Sequence, residues 1–284
     1  MWPFSKKTVV PVLRLNGVIS ASSGFRQGLS LARLAGPIER AFTMSDCESV
    51  AVTINSPGGS PVQSNLIFKR IRQLAEQHEK KVFVFCEDVA ASGGYFIAMA
   101  GDEVYVDPSS IVGSIGVVAA GFGFVEAIDK LGVERRVYTA GENKSVLDPF
   151  KPEKQEDIDH LLSLQREVHD VFIGVVKSRR GEKLSKTEPD LFTGRFWAGQ
   201  TAVELGLVDG ITDLRTKMQE LHGEKVQLRA VPMGKRGLLS RLRSLPSTRN
   251  LAARQPFAED LVAGAGSGLL AALEERAYWS RFGL

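Results

Sequence analysis

The chain has 284 residues, 43% apolar and 24% charged, which is the composition of a globular protein large enough to bury a substantial core. A formal net charge of +3 is too small to indicate a nucleic-acid partner. The sequence contains no metal-ligand spacing of Cys and His, no secretory signal and no run of the roughly 20 apolar residues that a spanning helix needs. We therefore expect a cytoplasmic protein without a signal peptide, a transmembrane helix, a metal or another cofactor.

In chain order, five short runs rich in β-branched residues predict strands: Val9–Leu15, Val50–Ile54, Val82–Phe85, Val104–Val106 and Val137–Tyr138. Continuous apolar runs of this length are typical of strands buried on both faces, as in parallel sheets. Two cysteines, Cys47 and Cys86, lie beside such runs. They are expected to be buried free thiols, so they do not imply an oxidising compartment.

Helical signals lie between these runs. Ser60 is a predicted N-cap, Pro61 suits the first turn, and Gln63 completes a capping box. The order strand, glycine turn, helix and strand is therefore predicted for residues 50–85. The segment 82–106 repeats that order, with a short helix that Gly101 ends. Alternation of strands and helices predicts the α/β class.

The second half of the chain begins with the longest predicted helix, over 152–180, which Gly181 ends. From Lys225 to Arg254 the chain carries eight basic residues and no acidic one. Three parts are therefore expected: a folded domain over 1–222, a basic linker-like segment over 223–258 and an amphipathic C-terminal helix over 259–284.

Two glycine-bearing loops carry the residues best suited to chemistry. Ser92 follows the run Val82–Phe85, and Lys144 follows the run Val137–Tyr138. A serine nucleophile needs a base, and the four histidines lie in segments predicted as polar helix or its flanks, so a Ser-Lys pair is the candidate. Two alternatives remain open, namely that Ser92 only caps a helix and that Lys144 is a solvated surface residue.

Three further residues are candidates for supporting this pair. Gly59 follows a predicted strand, and Gly93 follows Ser92, so their backbone N–H groups would form an oxyanion hole if the strands are adjacent and parallel. Ser114, in a third glycine-bearing loop, is a candidate for orienting the lysine amine. The alternatives are a plain strand-to-helix turn at Gly59 and a loop serine bonded to the backbone at Ser114.

In this order, five segments together resemble the signal peptide peptidase A (protease IV) family of serine peptidases. They are Ile54–Ser60, Asp88–Tyr95, Asp107–Val117, Gly141–Ser145 and Gly206–Gly210. The resemblance implies the fold shared with the Clp protease subunit and the crotonases, with stacked ββα units and a mostly parallel sheet, here with a helical C-terminal extension. It also implies that Ser92 is the nucleophile, Lys144 the general base, Gly59 and Gly93 the oxyanion hole, and Ser114 the support of the lysine. Ring-shaped homo-oligomers are implied as well, and a complete site is expected in each subunit.

The first hypothesis for function is therefore a serine endopeptidase for extended or unfolded peptides, with signal peptide remnants as one candidate substrate. A second is a crotonase-like acyl-CoA enzyme that uses the same oxyanion hole on a thioester. A third is a non-enzymatic scaffold that contacts the surface of an anionic membrane through residues 225–284. The same residues also fit a solvated linker and an oligomer-packing helix.

Overall fold

The structure is a computed structural model that describes residues 7–21, 28–141, 143–185, 189–233 and 276–283. Its strands are β1 (Val9–Asn16), β2 (Ser49–Ser56), β3 (Lys81–Ala91), β4 (Glu103–Val106), β5 (Ile111–Gly113), β6 (Phe196–Ala198), β7 (Gly210–Ile211) and β8 (Gln227–Ala230). Its α-helices are α1 (Leu31–Thr43), α2 (Pro61–Gln77), α3 (Gly93–Ala98), α4 (Val125–Lys130), α5 (Gln155–Arg180), α6 (Gly199–Glu204) and α7 (Leu214–His222).

One sheet contains all of these strands. Its main path runs β6-β5-β3-β2-β1-β8, while β4 pairs with β3 and β7. Every pairing is parallel except β5 with β6. The units β2-α2-β3 and β3-α3-β4 follow one another, which confirms the predicted α/β class with a mostly parallel sheet.

The sheet is buried on both faces, as the continuous apolar runs predicted. Leu13 and Leu15 of β1 lie in the main core with α1, α2, α3 and α5. Val10 and Val12 of the same strand lie in a second cluster that includes Met218 of α7. Successive strand side chains point to opposite faces, so one apolar run supplies both cores.

Four of the five predicted strands are confirmed, and the fifth is wrong. Residues 133–139 have no regular secondary structure, and Tyr138 is 91% exposed. The Val137–Tyr138 run was too short to show whether other residues cover it, and the structure places it in an irregular, largely exposed segment. Helix α1 had no predicted counterpart, although Leu34, Ile38, Ala41 and Phe42 give it a buried stripe.

The cap of α2 is confirmed in part. Pro61 opens the helix and the Ser60 side chain accepts a hydrogen bond from Gln63 N. The reciprocal half of the capping box is absent, because Gln63 Oε1 accepts the N–H of Leu31 at 2.9 Å instead. Gln63 therefore ties the first turn of α1 to the first turn of α2.

Helix α5 begins at Gln155, three residues later than predicted, and Gly181 ends it with φ +51°. Its buried residues are Phe172, Val176 and Arg180, so only its carboxyl-terminal half packs against the core. Leu162, Val168 and Val171 belong to the predicted apolar stripe but are 37–53% exposed. The predicted apolar stripe is therefore present on α5, but about half of its side chains are exposed to solvent in a single chain.

The carboxyl-terminal region lies partly outside the described residues. Strand β8 extends the sheet into the predicted basic segment and carries Arg229. Residues 234–275, with the remaining basic residues and the first part of the predicted C-terminal helix, are not described. Residues 276–280 are helical, and Phe282 packs on Val89 and Ala91. Among the helices that the described ranges contain, none combines the length and the apolar character needed to cross a membrane.

Candidate active site

Ser92 lies immediately after β3, at the carboxyl end of the sheet. Its backbone has φ +51° and ψ −122°, a combination that a side-chain-bearing residue adopts only under constraint. It stands at the N-cap position of α3, but its side chain makes no capping hydrogen bond. The hydroxyl is therefore not used as a helix cap, which answers the main structural alternative for this residue.

Ser114 lies beside Ser92. Ala91 pairs with Gly113 in the β3–β5 ladder, and Ser92 N donates to Gly113 O at 2.8 Å. The next residue of each strand is a serine, and Ser114 also has a positive φ, of +52°. The two strands thus end side by side, each on a constrained serine.

The glycine turn after β2 contacts the same point. Gly58 has φ +105°, and a Cβ built on it would lie 2.8 Å from Ser92 Cβ and 2.9 Å from Gly93 N. Gly59 has φ +137°, and a Cβ there would lie 2.0 Å from Ile19 O. Both positions therefore require glycine, for conformation and for space.

Two side chains fix how β2 and β3 meet near this turn. Asn55 Nδ2 donates to Asp88 Oδ2 at 2.6 Å, and Asn55 Oδ1 accepts the N–H of Val89 at 3.2 Å. These bonds bridge the irregularity at which the pairing register shifts between Ile54 and Ser56. Asn55 thereby positions the two loops that carry Gly59 and Ser92.

The backbone N–H groups of Gly59 and Gly93 are close to each other. A Cβ on Gly93 would lie 3.4 Å from Gly59 N and 2.4 Å from Ser64 Oγ. Neither N–H group donates a hydrogen bond to another residue of the described ranges. Two free backbone donors beside a serine hydroxyl are what an oxyanion hole consists of.

A cavity of about 210 Å³ opens in front of Ser92. Its lining includes Gly59, Ser92, Gly93 and Ser64, and otherwise mostly apolar side chains: Pro61, Val62, Phe96, Val117, Val168, Val171 and Phe172. The Phe96 and Phe172 rings pack with centroids 5.0 Å apart and form its floor. The cavity can therefore bind an apolar side chain beside the hydroxyl.

Helix α5 is one wall of this cavity, and His169 ties it to the loop after β5. His169 Nε2 lies 3.0 Å from the carbonyl oxygen of Ile115, between Ser114 and the cavity-lining Gly116. A protonated Nε2 donates this hydrogen bond. His169 is therefore placed to hold the loop, and its side chain is not among those lining the cavity.

Lys144 does not meet the serine within the described contacts. It is exposed, lies in a turn after Gly141, and is absent from the cavity lining. The segment around it is ordered by Asp148, which forms an ion pair with Arg135 at 3.1 Å. The hydrogen bond from Phe150 N, with the Arg135 charge, lowers the pKa of Asp148. The expectation that one chain holds a complete Ser-Lys pair gains no support from these contacts.

A buried tyrosine lies in α3, the helix that follows Ser92. The Tyr95 hydroxyl donates to Leu207 O at 2.7 Å, and burial raises the pKa of this phenol. Arg180 and Asp209 lie nearby, joined by a 2.7 Å ion pair. Tyr95 thus stays neutral and anchors α3 from inside the core.

Residue types and chain order identified Ser92, Gly59 and Gly93, and the structure brings these three together with Ser114. Sequence reasoning did not find Asn55, Ser64 or His169. Asn55 stands in the segment that resembles the family, which was the one signal available for it. His169 lies on a helix otherwise notable for its apolar stripe, so nothing local marked it. Within the part of the chain that the structure describes, no cluster of His, Cys, Asp and Glu could hold a metal ion.

The model of peptidase family S49 matches residues 74–228, more than half of the chain. A Brucella abortus protein named Na(+)/H(+) antiporter NhaA is 54% identical over 279 residues, covering 98% of this chain and 37% of that protein. The chloroplastic serine protease SPPA of Arabidopsis thaliana is 28% identical over 265 residues, covering 86% of this chain and 36% of the relative. The chain thus spans little more than a third of these relatives.

Among solved structures, a mutant of the 1510-N membrane-bound stomatin-specific protease matches with a TM-score of 0.47 and 17% identity. The match covers 80% of this chain and 98% of that one. A likeness at this level is too distant to inform the chemistry of the cavity.

Proposed function

The chain belongs to peptidase family S49, and we propose that it is a serine endopeptidase in which Ser92 is the nucleophile and Lys144 the general base. The observation that carries the proposal is the convergence at one cavity of an uncapped serine and two unbonded backbone donors, from Gly59 and Gly93. Ser92 is held at φ +51° and its side chain makes no capping hydrogen bond, which is consistent with a nucleophile on a sharp turn.

In the first chemical step, Ser92 Oγ attacks the carbonyl carbon of the scissile peptide bond. Lys144 Nζ, as a neutral amine, takes the hydroxyl proton and passes it to the leaving amine as the C–N bond breaks. The N–H groups of Gly59 and Gly93 stabilise the oxyanion of the tetrahedral intermediate. Water then attacks the acyl-enzyme, with Lys144 accepting its proton, and Ser92 is restored.

The substrate we propose is an extended or unfolded peptide with an apolar side chain at the cleavage site. The supporting observation is the lining of the cavity, in which Val62, Phe96 and Phe172 surround the space next to Ser92. A signal peptide remnant has this character, because its central region is apolar. The enzyme would need no cofactor for such a reaction.

We further propose that Lys144 reaches Ser92 in a homo-oligomer. The segment 117–140 exposes several large apolar side chains, among them Phe122 (81%), Leu131 (76%) and Tyr138 (91%). A surface of this kind favours association, and a neighbouring copy is the occupant that the exposed α5 stripe also suits. Such a contact would bring the Lys144 amine of one copy to the Ser92 of its neighbour, as the proposed base requires.

The two other hypotheses, an acyl-CoA enzyme and a non-enzymatic scaffold, have less support than a peptidase. Membership of a peptidase family, together with relatives named as proteases, favours peptide hydrolysis over acyl-CoA chemistry. The scaffold hypothesis rested on residues 225–284, most of which lie outside the described residues. A cytoplasmic location, with contact at a membrane surface through that segment, remains a prediction that cell fractionation would test.

Cleavage of casein by the wild type, Ser92→Ala and Lys144→Ala tests the proposal. We expect both variants to lose cleavage while their thermal unfolding stays close to that of the wild type. Matched controls are Ser109→Ala and Lys151→Ala, which change exposed residues of the same types and should keep activity. Cleavage retained by Ser92→Ala would overturn the proposed nucleophile, and cleavage retained by Lys144→Ala the proposed base.

A further inference from the structure

A second cluster of reactive side chains lies away from Ser92, just before β2. Cys47 is half-buried, and its Sγ accepts the N–H of Ser49 at 3.4 Å. His222, the last residue of α7, places Nε2 at 3.9 Å from the same sulfur. The thiol therefore has a backbone donor and an imidazole beside it.

His222 can accept a proton at neutral pH. Burial lowers the pKa of His222, although the charge of Glu48 opposes this, so the ring is neutral near pH 7. Nε2 also lies 2.9 Å from the hydroxyl oxygen of Ser49. In the tautomer with the proton on Nδ1, Nε2 faces one hydroxyl and one thiol, and it can take the thiol proton.

Charges around the sulfur act in both directions. Lys80 lies close enough for the charges of Cys47 and Asp46 to act on its amine, whose pKa burial lowers. The exposed carboxylates of Asp46 and Glu48 and the amine of Lys80 thus place both signs of charge around the sulfur.

Cys47 also lines an open cavity of about 310 Å³. The charged residues around it are Lys7, Arg229 and Asp46, so the cations outnumber the anion. Cys47 therefore borders a space that can hold a small molecule, and the charges of the lining favour one that carries carboxylates.

We propose that Cys47 is a modification site, at which the thiol forms a mixed disulfide with a small anionic disulfide such as glutathione disulfide. His222 Nε2 takes the thiol proton, and the thiolate attacks one sulfur of the reagent. The reagent's S–S bond breaks, a new bond forms to Cys47 Sγ, and the departing thiolate takes up a proton from His222 or water. Cys47 is then linked to one half of the reagent by a disulfide bond, and the other half leaves as a thiol, so that no net oxidation is needed beyond that of the reagent.

The second cysteine is an internal control. Cys86 is buried within β3, and burial, with the charge of Glu87, raises its pKa to about 12. It should not react in the folded protein. Cys47 lies at the amino end of β2 and Ser92 beyond the carboxyl end of β3, so the modification can be measured whether or not peptides are cleaved.

The first experiment incubates the native full-length chain with glutathione disulfide and follows the mass adduct with time at pH 7. We expect one adduct, which the wild type and Cys86→Ser form and Cys47→Ser does not. The wild type should react with glutathione disulfide about tenfold faster than N-acetylcysteine does. His222→Asn should remove most of this acceleration. A wild-type rate no greater than that of N-acetylcysteine, or an adduct on Cys86, would overturn the proposal.

The second experiment tests the cavity with the cationic disulfide cystamine. The rate with each disulfide is divided by the rate of N-acetylcysteine with the same disulfide. The ratio of the normalised glutathione disulfide rate to the normalised cystamine rate should exceed one for the wild type. The ratio should fall in Arg229→Gln and in Lys7→Gln. Thermal unfolding of each variant verifies the fold. A ratio of one or less, or one that both substitutions leave unchanged, would contradict recognition of the anionic reagent.

Discussion

The backbone nitrogen of Gly59 lies 3.4 Å from the position that a Cβ on Gly93 would occupy. The two glycines belong to turns after different strands, β2 and β3, which pair in parallel. Parallel pairing brings the carboxyl ends of neighbouring strands to the same edge of a sheet. The two N–H groups that we propose as oxyanion donors therefore come together because of the strand pairing and of the Asn55 bridge to Asp88.

Alanine substitutions of Gly59 and Gly93 should distinguish an effect on the oxyanion hole from an effect on the stability of the fold. Gly59→Ala should abolish cleavage and destabilise the fold, because its Cβ would overlap Ile19 O and its φ of +137° is unfavourable for alanine. Gly93→Ala should fold but lose about a hundredfold in kcat, since displacement of one oxyanion donor has effects of this size. Steady-state kinetics and thermal unfolding give both readouts.

Gly174→Ala is the control for these variants. Gly174 is an exposed residue in the interior of α5, it lies outside the cavity lining, and a Cβ there would have no atom within 4 Å. Replacement of a helical glycine by alanine should stabilise the chain by about 0.5–1 kcal/mol and leave kcat unchanged. If Gly93→Ala also kept full kcat, its N–H would not belong to an oxyanion hole.

Mixing two inactive variants tests where Lys144 acts. Lys144 is exposed and outside the lining of the Ser92 cavity, so we expect it to serve a neighbouring copy. Ser92→Ala and Lys144→Ala, unfolded together and refolded, should then recover casein cleavage that neither shows alone. Refolding each variant separately is the control. No recovery from a mixture shown to contain hybrid oligomers would place the lysine in the same chain as its serine.

Narrowing the cavity should change substrate choice. Val171 is 53% exposed yet lines the cavity, so Val171→Phe should fold normally and reduce the space beside Ser92. We expect kcat/KM for peptides with leucine at the cleavage site to fall more than for those with alanine. Leu164→Phe on the same helix is the control, because Leu164 is similarly exposed and lies outside the lining. An equal fall for both peptides would contradict a side-chain role for the cavity.

The Arg180–Asp209 pair predicts how stability depends on pH. Burial alone would raise the pKa of Asp209, but hydrogen bonds from Arg180 and Lys183 lower it by more, so the net shift is downward. The contribution of this carboxylate to the free energy of unfolding is therefore complete above its unfolded pKa of about 3.9 and is lost as the pH falls through the folded pKa. Asp209→Asn should destabilise the chain by about 3 kcal/mol at pH 7, because it leaves Arg180 buried without its partner.

Urea unfolding at pH 7, pH 5 and pH 3.5 measures this effect. The difference between the wild type and Asp209→Asn should be the same at pH 7 and pH 5 and smaller at pH 3.5. Asp129→Asn, at an exposed aspartate, provides the control and should cost little at any pH. A difference that grew on acidification would show that the folded pKa is raised.

The amino-acid sequence by itself determined the α/β class and four of the five predicted strands, and it singled out Ser92, Gly59 and Gly93 as candidate site residues. These follow from local signals, namely apolar runs, glycine turns and a serine after a strand, which the chain carries wherever it folds. Only the tertiary structure decided that Ser92 does not cap its helix, that Ser114 stands beside it, and that His169 reaches Ile115 from α5.

Lys144 and the run Val137–Tyr138 show why other features of the fold and of the site could not be predicted from the sequence. A short apolar run forms a strand only if a neighbour pairs with it, and within the ranges that the structure describes nothing pairs with residues 133–139. Whether a lysine is a base depends on what surrounds its amine, and that is set by packing between segments distant in sequence, or between copies of the chain. Local patterns fix which residues can do chemistry, whereas the pairing of strands and the docking of helices fix which of them meet.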